Sequence, residues 1–203
     1  MQKRIMLTEL LKDHHIILAS GSPRRQQFFR DLGIDFEIRI KDIEEVYPET
    51  LKGSDIPDYL AQLKAEPQKD SLAAKDILIT SDTIVWHDQK ALGKPKDREE
   101  AFAMLKKLSG NSHDVITSVC LTTPTVQQTV HAITRVFFDT LTDEEICYYI
   151  DHFKPFDKAG AYGIQEWIGL IGIRRIEGSY FNVVGLPVHL LYRALKSIVG
   201  ENR

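Results

Sequence analysis

Hydrophobic positions along the chain fall into short apolar runs alternating with faces spaced three and four residues apart. Residues 16–19 form a run too short for a helix and read as a buried strand. The run ends in Ser20-Gly21-Ser22-Pro23. Pro23 suits a first helical position and Ser22 its N-cap, so a helix is expected over 24–32, stopped by Gly33. Residues 34–40 alternate apolar and polar side chains, the period of a second strand. Ser54 or Asp55 caps a helix expected to reach Lys64 or Ala65, with Pro67 forbidding long continuation. Residues 77–86 are rich in Ile, Val and Thr and give a strong strand that Asp88-Gln89 turns back. Asp97 and Glu100 form a capping box before the apolar face of Ala101, Met104, Leu105 and Leu108, and Gly110 follows as a stop. Two strands over 115–122 and 130–138 join around Pro124. Thr142 with Glu145 caps a helix through about 150. Residues 157–165 are Gly-rich and read as a functional loop. Strand character returns over 168–176, and Pro187 opens a last helix through about 198. A short amphipathic turn over 6–11 precedes the whole. There is no internal repeat, low-complexity tract or long linker. The class is α/β with a mixed sheet.

Composition narrows the picture. The chain has 203 residues, 43% of them hydrophobic, enough for one large domain or two closely joined lobes. Net charge is -3 and the pI about 6.2, which argues against bulk electrostatic binding to DNA or RNA. No apolar run approaches the ~20 residues that span a bilayer. The charged N-terminal 15 residues lack the apolar block of a secretory signal. Cys120 and Cys147 make no disulfide framework and are expected as buried, reduced thiols. A cytoplasmic protein with neither membrane nor nucleic-acid partner is the expectation.

Chemistry concentrates in four places. At Ser20-Gly21-Ser22-Pro23-Arg24-Arg25 a strand feeds a turn and the turn a helix N-terminus, whose free N–H groups attract anions. Glycine permits close approach, and two serines and two arginines add donors suited to phosphate. The same residues also make an ordinary capped helix with solvated arginines. At Ser81-Asp82-Thr83 an acid sits inside an apolar strand, so it is paired, metal-bound or catalytic. Gly93-Lys94-Pro95 fixes a lysine between two backbone-restricting residues. Glu44-Glu45 offers carboxylate oxygen for a hard cation, if a phosphate site is present to need one. Asp157-Lys158-Ala159-Gly160-Ala161-Tyr162-Gly163-Ile164-Gln165 pairs small residues with a side-chain amide able to read a base edge. The chain has no Walker loop, G-x-G-x-x-G, H-E-x-x-H or G-x-S-x-G.

Taken in order, these segments resemble the Maf family of nucleoside triphosphate pyrophosphatases. Lys64-Ala65, Leu108-Ser109-Gly110, Gly178-Ser179 and Asn182-Val183-Val184-Gly185-Leu186-Pro187 complete the match, which runs from about Ile16 to the last helix. The resemblance implies a mixed twisted sheet flanked by helices, with two lobes around a central cleft (Maf/ITPase-like), usually as a homodimer. A single catalytic domain over 16–203 would follow an N-terminal extension over 1–15, longer than the family requires. The implied activity cuts a nucleoside triphosphate between its α- and β-phosphates with a divalent metal, Mg²⁺ or Mn²⁺. Arg24, Thr83 and Gln165 match the branch that prefers dTTP and UTP, whereas the branch acting on methylated guanine nucleotides differs at all three. The family is also associated with removal of modified nucleotides and with cell-division arrest. Pro67 close behind Lys64, and Glu166-Trp167 behind Gln165, depart from the usual pattern.

On this resemblance Asp82 is expected to activate a water that attacks the α-phosphorus. Glu45 with Asp82 would hold the metal. Arg25, Lys64 and Lys94 would stabilise phosphate charge, with Ser20 and Ser22 adding donors. Arg24, Thr83 and Gln165 would recognise the base. Neighbours on a regular strand face opposite sides, so Asp82 and Thr83 meet one ligand only if the strand ends or twists there. The same chemistry on purine or modified nucleotides, and a non-catalytic regulator of cell division, are the rival readings.

Overall fold

The computed structural model describes residues 6–200. Residues 1–5 and 201–203 of the expected extension and domain lie outside the described residues. In chain order the elements are α1 (Leu7–Leu11), β1 (His15–Leu18), α2 (Pro23–Asp31), β2 (Glu37–Ile38), α3 (Asp55–Lys69), β3 (Asp76–His87), β4 (Lys90–Leu92) and α4 (Arg98–Leu108). There follow β5 (Ser112–Thr122), β6 (Gln127–Phe138), α5 (Asp143–Phe153), two 3₁₀ turns (Pro155–Asp157 and Ala159–Ala161), α6 (Trp167–Gly172), β7 (Ile173–Glu177), α7 (Tyr180–Val184) and α8 (Val188–Gly200).

The strands form one mixed sheet in the order β2-β1-β3-β5-β6-β7, with β4 folded back on β3. β1 runs parallel to β2 and β3, and the other pairings are antiparallel. The central strand β3 reads as an apolar run because both of its faces are covered. On one face Ile77 and Ile79 pack with Leu7 and Leu11 of α1, Phe29 of α2 and Leu191 and Leu195 of α8. Farther along the same face Val85 joins Leu105 and Leu108 of α4 and Ile146, Tyr149 and Ile150 of α5. These two clusters are the two expected lobes. On the other face α3 lays Ile56 and Leu60 on Ile84 and Ile116, and Ala65 on Leu78 and Ile17.

Locally encoded ends hold as expected. Gly33 and Gly110 adopt φ of +66° and +71° at helix stops, a conformation glycine enters without a Cβ clash. Asp88 and Gln89 take φ of 48° and 60° in the two-residue hairpin to β4. Thr142 and Glu145 form a complete capping box. Asp97 caps the Glu100 N–H, but the Glu100 carboxylate accepts from the Lys96 N–H, one residue before the cap.

Several expectations are corrected. The strand expected over 34–40 is only Glu37–Ile38, since it pairs with two residues of the short β1. Strands β5 and β6 each begin three residues earlier than their apolar cores, carried by ladder pairing from Ser112↔Phe137 to Thr122↔Gln127. Helix α3 does not stop at Pro67 but runs to Lys69 with Pro67 inside it. Proline there forfeits one hydrogen bond near the helix end, while burial of Ile56, Leu60, Ala61, Ala65 and Gln68 holds the segment. The strand expected over 168–176 is α6 followed by β7. Gly169 lies in this helix, and an added Cβ there would fall 1.8 Å from the Ile164 carbonyl oxygen, so the turn packs directly on backbone. Ser22 occupies the α2 N-cap position without a side-chain cap bond. Cys120 is buried as expected, but Cys147 on α5 is half-buried.

Candidate active site

The two lobes leave a cleft of about 640 Å³. Its walls include all ten residues singled out from the sequence: Ser20, Ser22, Arg24, Arg25, Glu45, Lys64, Asp82, Thr83, Lys94 and Gln165. The other acid of the pair, Glu44, is not among them.

An interruption in the sheet makes this possible. Partner β1 leaves β3 after Leu18↔Ile79, and β4 joins it only at Val85↔Leu92. Between them the edge of β3 is open at Ser81-Asp82-Thr83, while β5 pairs the other edge without a break. Asp82 and Thr83 therefore keep the regular alternation, facing opposite sides of the sheet. The cleft lies along the open edge and is lined by both residues, so the strand neither ends nor twists to bring them together.

On the α3 side, Lys64 Nζ lies 2.6 Å from Asp82 Oδ1 and 3.0 Å from Glu45 Oε2. The Asp82 side chain is 9% exposed and that of Glu45 45%, so the cluster grades from buried to wet. The longer course of α3 places Lys64 mid-helix over β3 rather than at a frayed end.

On the opposite side, Arg25 donates from Nε to the Gly185 carbonyl (2.8 Å), from Nη1 to the Ser81 carbonyl (2.8 Å) and from Nη2 to Thr83 Oγ1 (2.9 Å). Burial lowers the pKa of its guanidinium, and Asp82 opposes the shift. Arginine nevertheless remains charged. Thr117 donates its hydroxyl to the Asn182 carbonyl at 3.0 Å and stands 3.0 Å from Thr83 Oγ1. With the one Thr117 hydrogen spent on Asn182, Thr83 donates to Thr117 and accepts from Arg25. Its hydroxyl keeps a lone pair for a ligand but no hydrogen.

The turn before α2 closes one end. Ser20 is buried, and its Oγ accepts from the Ser22 N–H at 3.3 Å. The first N–H groups of α2 have no partner inside the helix and belong to the cleft wall. Lys94 stands exposed at the rim, on a loop whose Gly93 carbonyl accepts from the Gly160 N–H at 3.0 Å. Arg24 Nη1 donates to Asp157 Oδ2 at 3.1 Å. Burial raises the Asp157 pKa, but hydrogen bonds from Lys158 and Arg24 outweigh it and leave the carboxyl below its usual range.

Sequence reasoning placed Lys158 in the Gly-rich loop without a role of its own, noted Glu166 only as bulk behind Gln165, and did not single out Tyr149. Lys158 is buried and bridges Asp157 (2.7 Å) and Glu166 (3.0 Å). A lysine inside a Gly-rich loop, followed eight residues later by an acid, was the only available signal. Nothing local links either residue to Tyr149 on α5.

A family model described as "Maf-like protein" matches residues 15–198. The chain belongs to the Maf family. Among Maf relatives, a dTTP/UTP pyrophosphatase of Flavobacterium johnsoniae is 57% identical over 96% of this chain and all of that protein. One of Christiangramia forsetii is 58% identical over 97% of this chain and all of that protein. One of Bacteroides fragilis is 51% identical over 93% and 98% of the two chains. Among solved structures, the Staphylococcus aureus Ham1 protein superposes with a TM-score of 0.50 at 16% identity, covering 91% of this chain and 99% of that one. That likeness extends the Maf fold to a wider architecture.

Proposed function

We propose that this Maf protein hydrolyses dTTP and UTP to the nucleoside monophosphate and pyrophosphate. The observation that carries the reading is the cleft itself. One buried carboxylate, Asp82, faces an anion-seeking helix N-terminus across a space rimmed by Arg24, Arg25, Lys64 and Lys94. The naming of relatives at 51–58% identity over nearly the whole chain supports the same substrates.

In this reading Asp82 orients a water at the α-phosphorus and takes its proton as the new P–O bond forms and pyrophosphate leaves. Lys64 holds Asp82 in place and adds positive charge beside the phosphates. Arg25, already anchored at three points, keeps two N–H directions for a phosphate oxygen. Lys94 covers the outer phosphates from the rim, and the turn from Ser20 to Ser22 adds further donors.

Glu45 and Asp82 fit a hard divalent ion. Both carboxylates lie within ion-pair distance of one ammonium, and such ions take one or two carboxylates with waters and substrate phosphates. Mg²⁺ or Mn²⁺ held there would neutralise charge on the phosphates and the leaving pyrophosphate. Among the described residues no group of three or more acid, His or Cys side chains could hold a metal; Glu45 and Asp82 would share such an ion with waters and substrate phosphates.

Base choice falls to Arg24, Thr83 and Gln165. Thr83 presents an acceptor, and uracil and thymine carry an N3–H where cytosine has a bare ring nitrogen. Gln165 offers both a donor and an acceptor to the same edge. Removal of modified pyrimidine nucleotides, a link to cell-division arrest, a homodimeric state and a cytoplasmic site of action belong to the same reading. Among the described residues no helix is long and apolar enough to cross a membrane.

The test is a panel of dTTP, UTP, dCTP and methylated GTP with the purified chain and added Mg²⁺ or Mn²⁺. Pyrophosphate and monophosphate from dTTP and UTP are expected, with little from dCTP. A preference for methylated GTP would move the protein to the other branch. Absence of turnover with every triphosphate would leave a non-catalytic nucleotide binder.

A further inference from the structure

From the cleft wall inward a continuous chain of contacts joins Arg24 to the turn that carries Gln165, with Asp157, Lys158 and Gly163 themselves lining the cleft. Arg24 is held by Asp157, Asp157 by Lys158, and Lys158 by Glu166 Oε1. The other Glu166 oxygen accepts from the Tyr149 hydroxyl. That hydroxyl in turn accepts from the Gly163 N–H at 2.9 Å. Gly163 and Glu166 flank Gln165, and a Cβ added at Gly163 would lie 2.9 Å from Gln165 Nε2 and 2.9 Å from Glu166 Cδ. The Gln165 amide and the Glu166 carboxyl are thus packed against one backbone point. Burial, and then the Glu166 bond, raise the Tyr149 pKa, so the hydroxyl keeps its proton.

We propose that Glu166 is a positioning residue for base recognition: through Lys158 and Asp157 it fixes Arg24, and through Tyr149 it seats the turn carrying Gln165. The inference rests on the reading above that Arg24 and Gln165 contact the base. Physically, the Lys158 and Glu166 side chains are 9% and 20% exposed, so their ion pair acts with little screening. A charged, sheltered pair of this kind holds Lys158 and Glu166 more tightly than an exposed pair does, and Lys158 carries that order to Asp157, whose side chain is 58% exposed and meets Arg24 at 3.1 Å.

The test compares Glu166→Gln and Tyr149→Phe, each nearly isosteric, with wild type on dTTP, UTP and dCTP. Each variant is expected to raise KM for dTTP and UTP about tenfold with kcat within about twofold. Preference over dCTP should narrow by a similar factor. The double variant should fall short of the product of the single effects, because both changes break one chain. A purely structural role would lower the melting temperature without moving base preference. Unchanged KM and base preference in either folded variant, or a loss confined to kcat, overturns the proposal. If Glu166→Gln does not fold, Tyr149→Phe carries the test alone. Arg24→Met and Gln165→Leu run in parallel. Should they abolish base preference while Glu166→Gln and Tyr149→Phe preserve it, only the positioning role fails. Should all four preserve it, the base-reading assignment fails as well.

Discussion

Lys64 on α3 holds Asp82 on β3 at 2.6 Å, across the face of the sheet opposite Arg25. The same ammonium also reaches Glu45 at 3.0 Å. Removing the Asp82 charge therefore does not strand Lys64, which retains a carboxylate partner. Asp82→Asn is expected to lower pyrophosphate release from dTTP by roughly 10²–10⁴-fold while the protein stays folded. Near-normal turnover in a folded Asp82→Asn protein would remove Asp82 from its role as base.

Arg25 joins three separate points through one guanidinium: Gly185 before α8, and Ser81 and Thr83 on the open edge of β3. Lysine has no planar fork to span them. Arg25→Lys should leave buried carbonyls unpaired and lower stability by roughly 2–4 kcal/mol, with activity falling too. Urea unfolding followed by circular dichroism checks the first part. A midpoint equal to wild type would mean that the three bonds contribute little.

Gly160 and Gly93 lie against each other at the rim but differ in what they tolerate. Gly160 has φ +68°, and an added Cβ would meet Val85 Cγ2 at 2.8 Å. Gly93 has nothing within 4 Å of such a Cβ and no positive φ. Gly160→Ala should destabilise by about 1–3 kcal/mol, and Gly93→Ala by no more than about 0.5 kcal/mol. Thermal midpoints of the two variants measured side by side decide it; similar losses would sink the distinction.

His113 on β5 is 3% exposed, edge-on to Tyr162, with its Nε2 2.7 Å from the Tyr162 hydroxyl. Burial first, then the nearby His87, push its pKa down to about 3 from 6.5. The folded state therefore resists protonation that the unfolded chain accepts. Its stabilising effect is complete above pH 6.5 and is lost as pH falls towards 3. Between pH 7 and pH 4.5 this one group should remove of the order of 2 kcal/mol of stability. The same pH change in His113→Gln should remove correspondingly less. Denaturant midpoints at the two pH values, identical in their pH response for both proteins, would refute the effect.

What was legible in the sequence was the local part. The Thr142–Glu145 capping box, the glycine stops at Gly33 and Gly110 and the Asp88-Gln89 hairpin all depend on contacts within a few residues. Side-chain chemistry within short motifs also needs no long-range information, so ten candidate residues could be named in advance, and those ten line one cleft. Two kinds of feature were not legible. The continuation of α3 through Pro67 is decided by what the rest of the chain packs against its buried side chains. The links from Tyr149 to Glu166 and from Arg25 to Gly185 join residues 17 and 160 positions apart.

By itself, the order of apolar runs, caps and turns determined an α/β chain with an acid embedded in an apolar strand, and its ordered motifs resemble those of the Maf family. Only the tertiary structure decided how Asp82 and Thr83 come to line one cleft. Strand alternation turns neighbouring side chains to opposite faces, and a gap between β1 and β4 leaves the edge of β3 open to both. That gap is a property of where distant strands end, which no window of sequence contains.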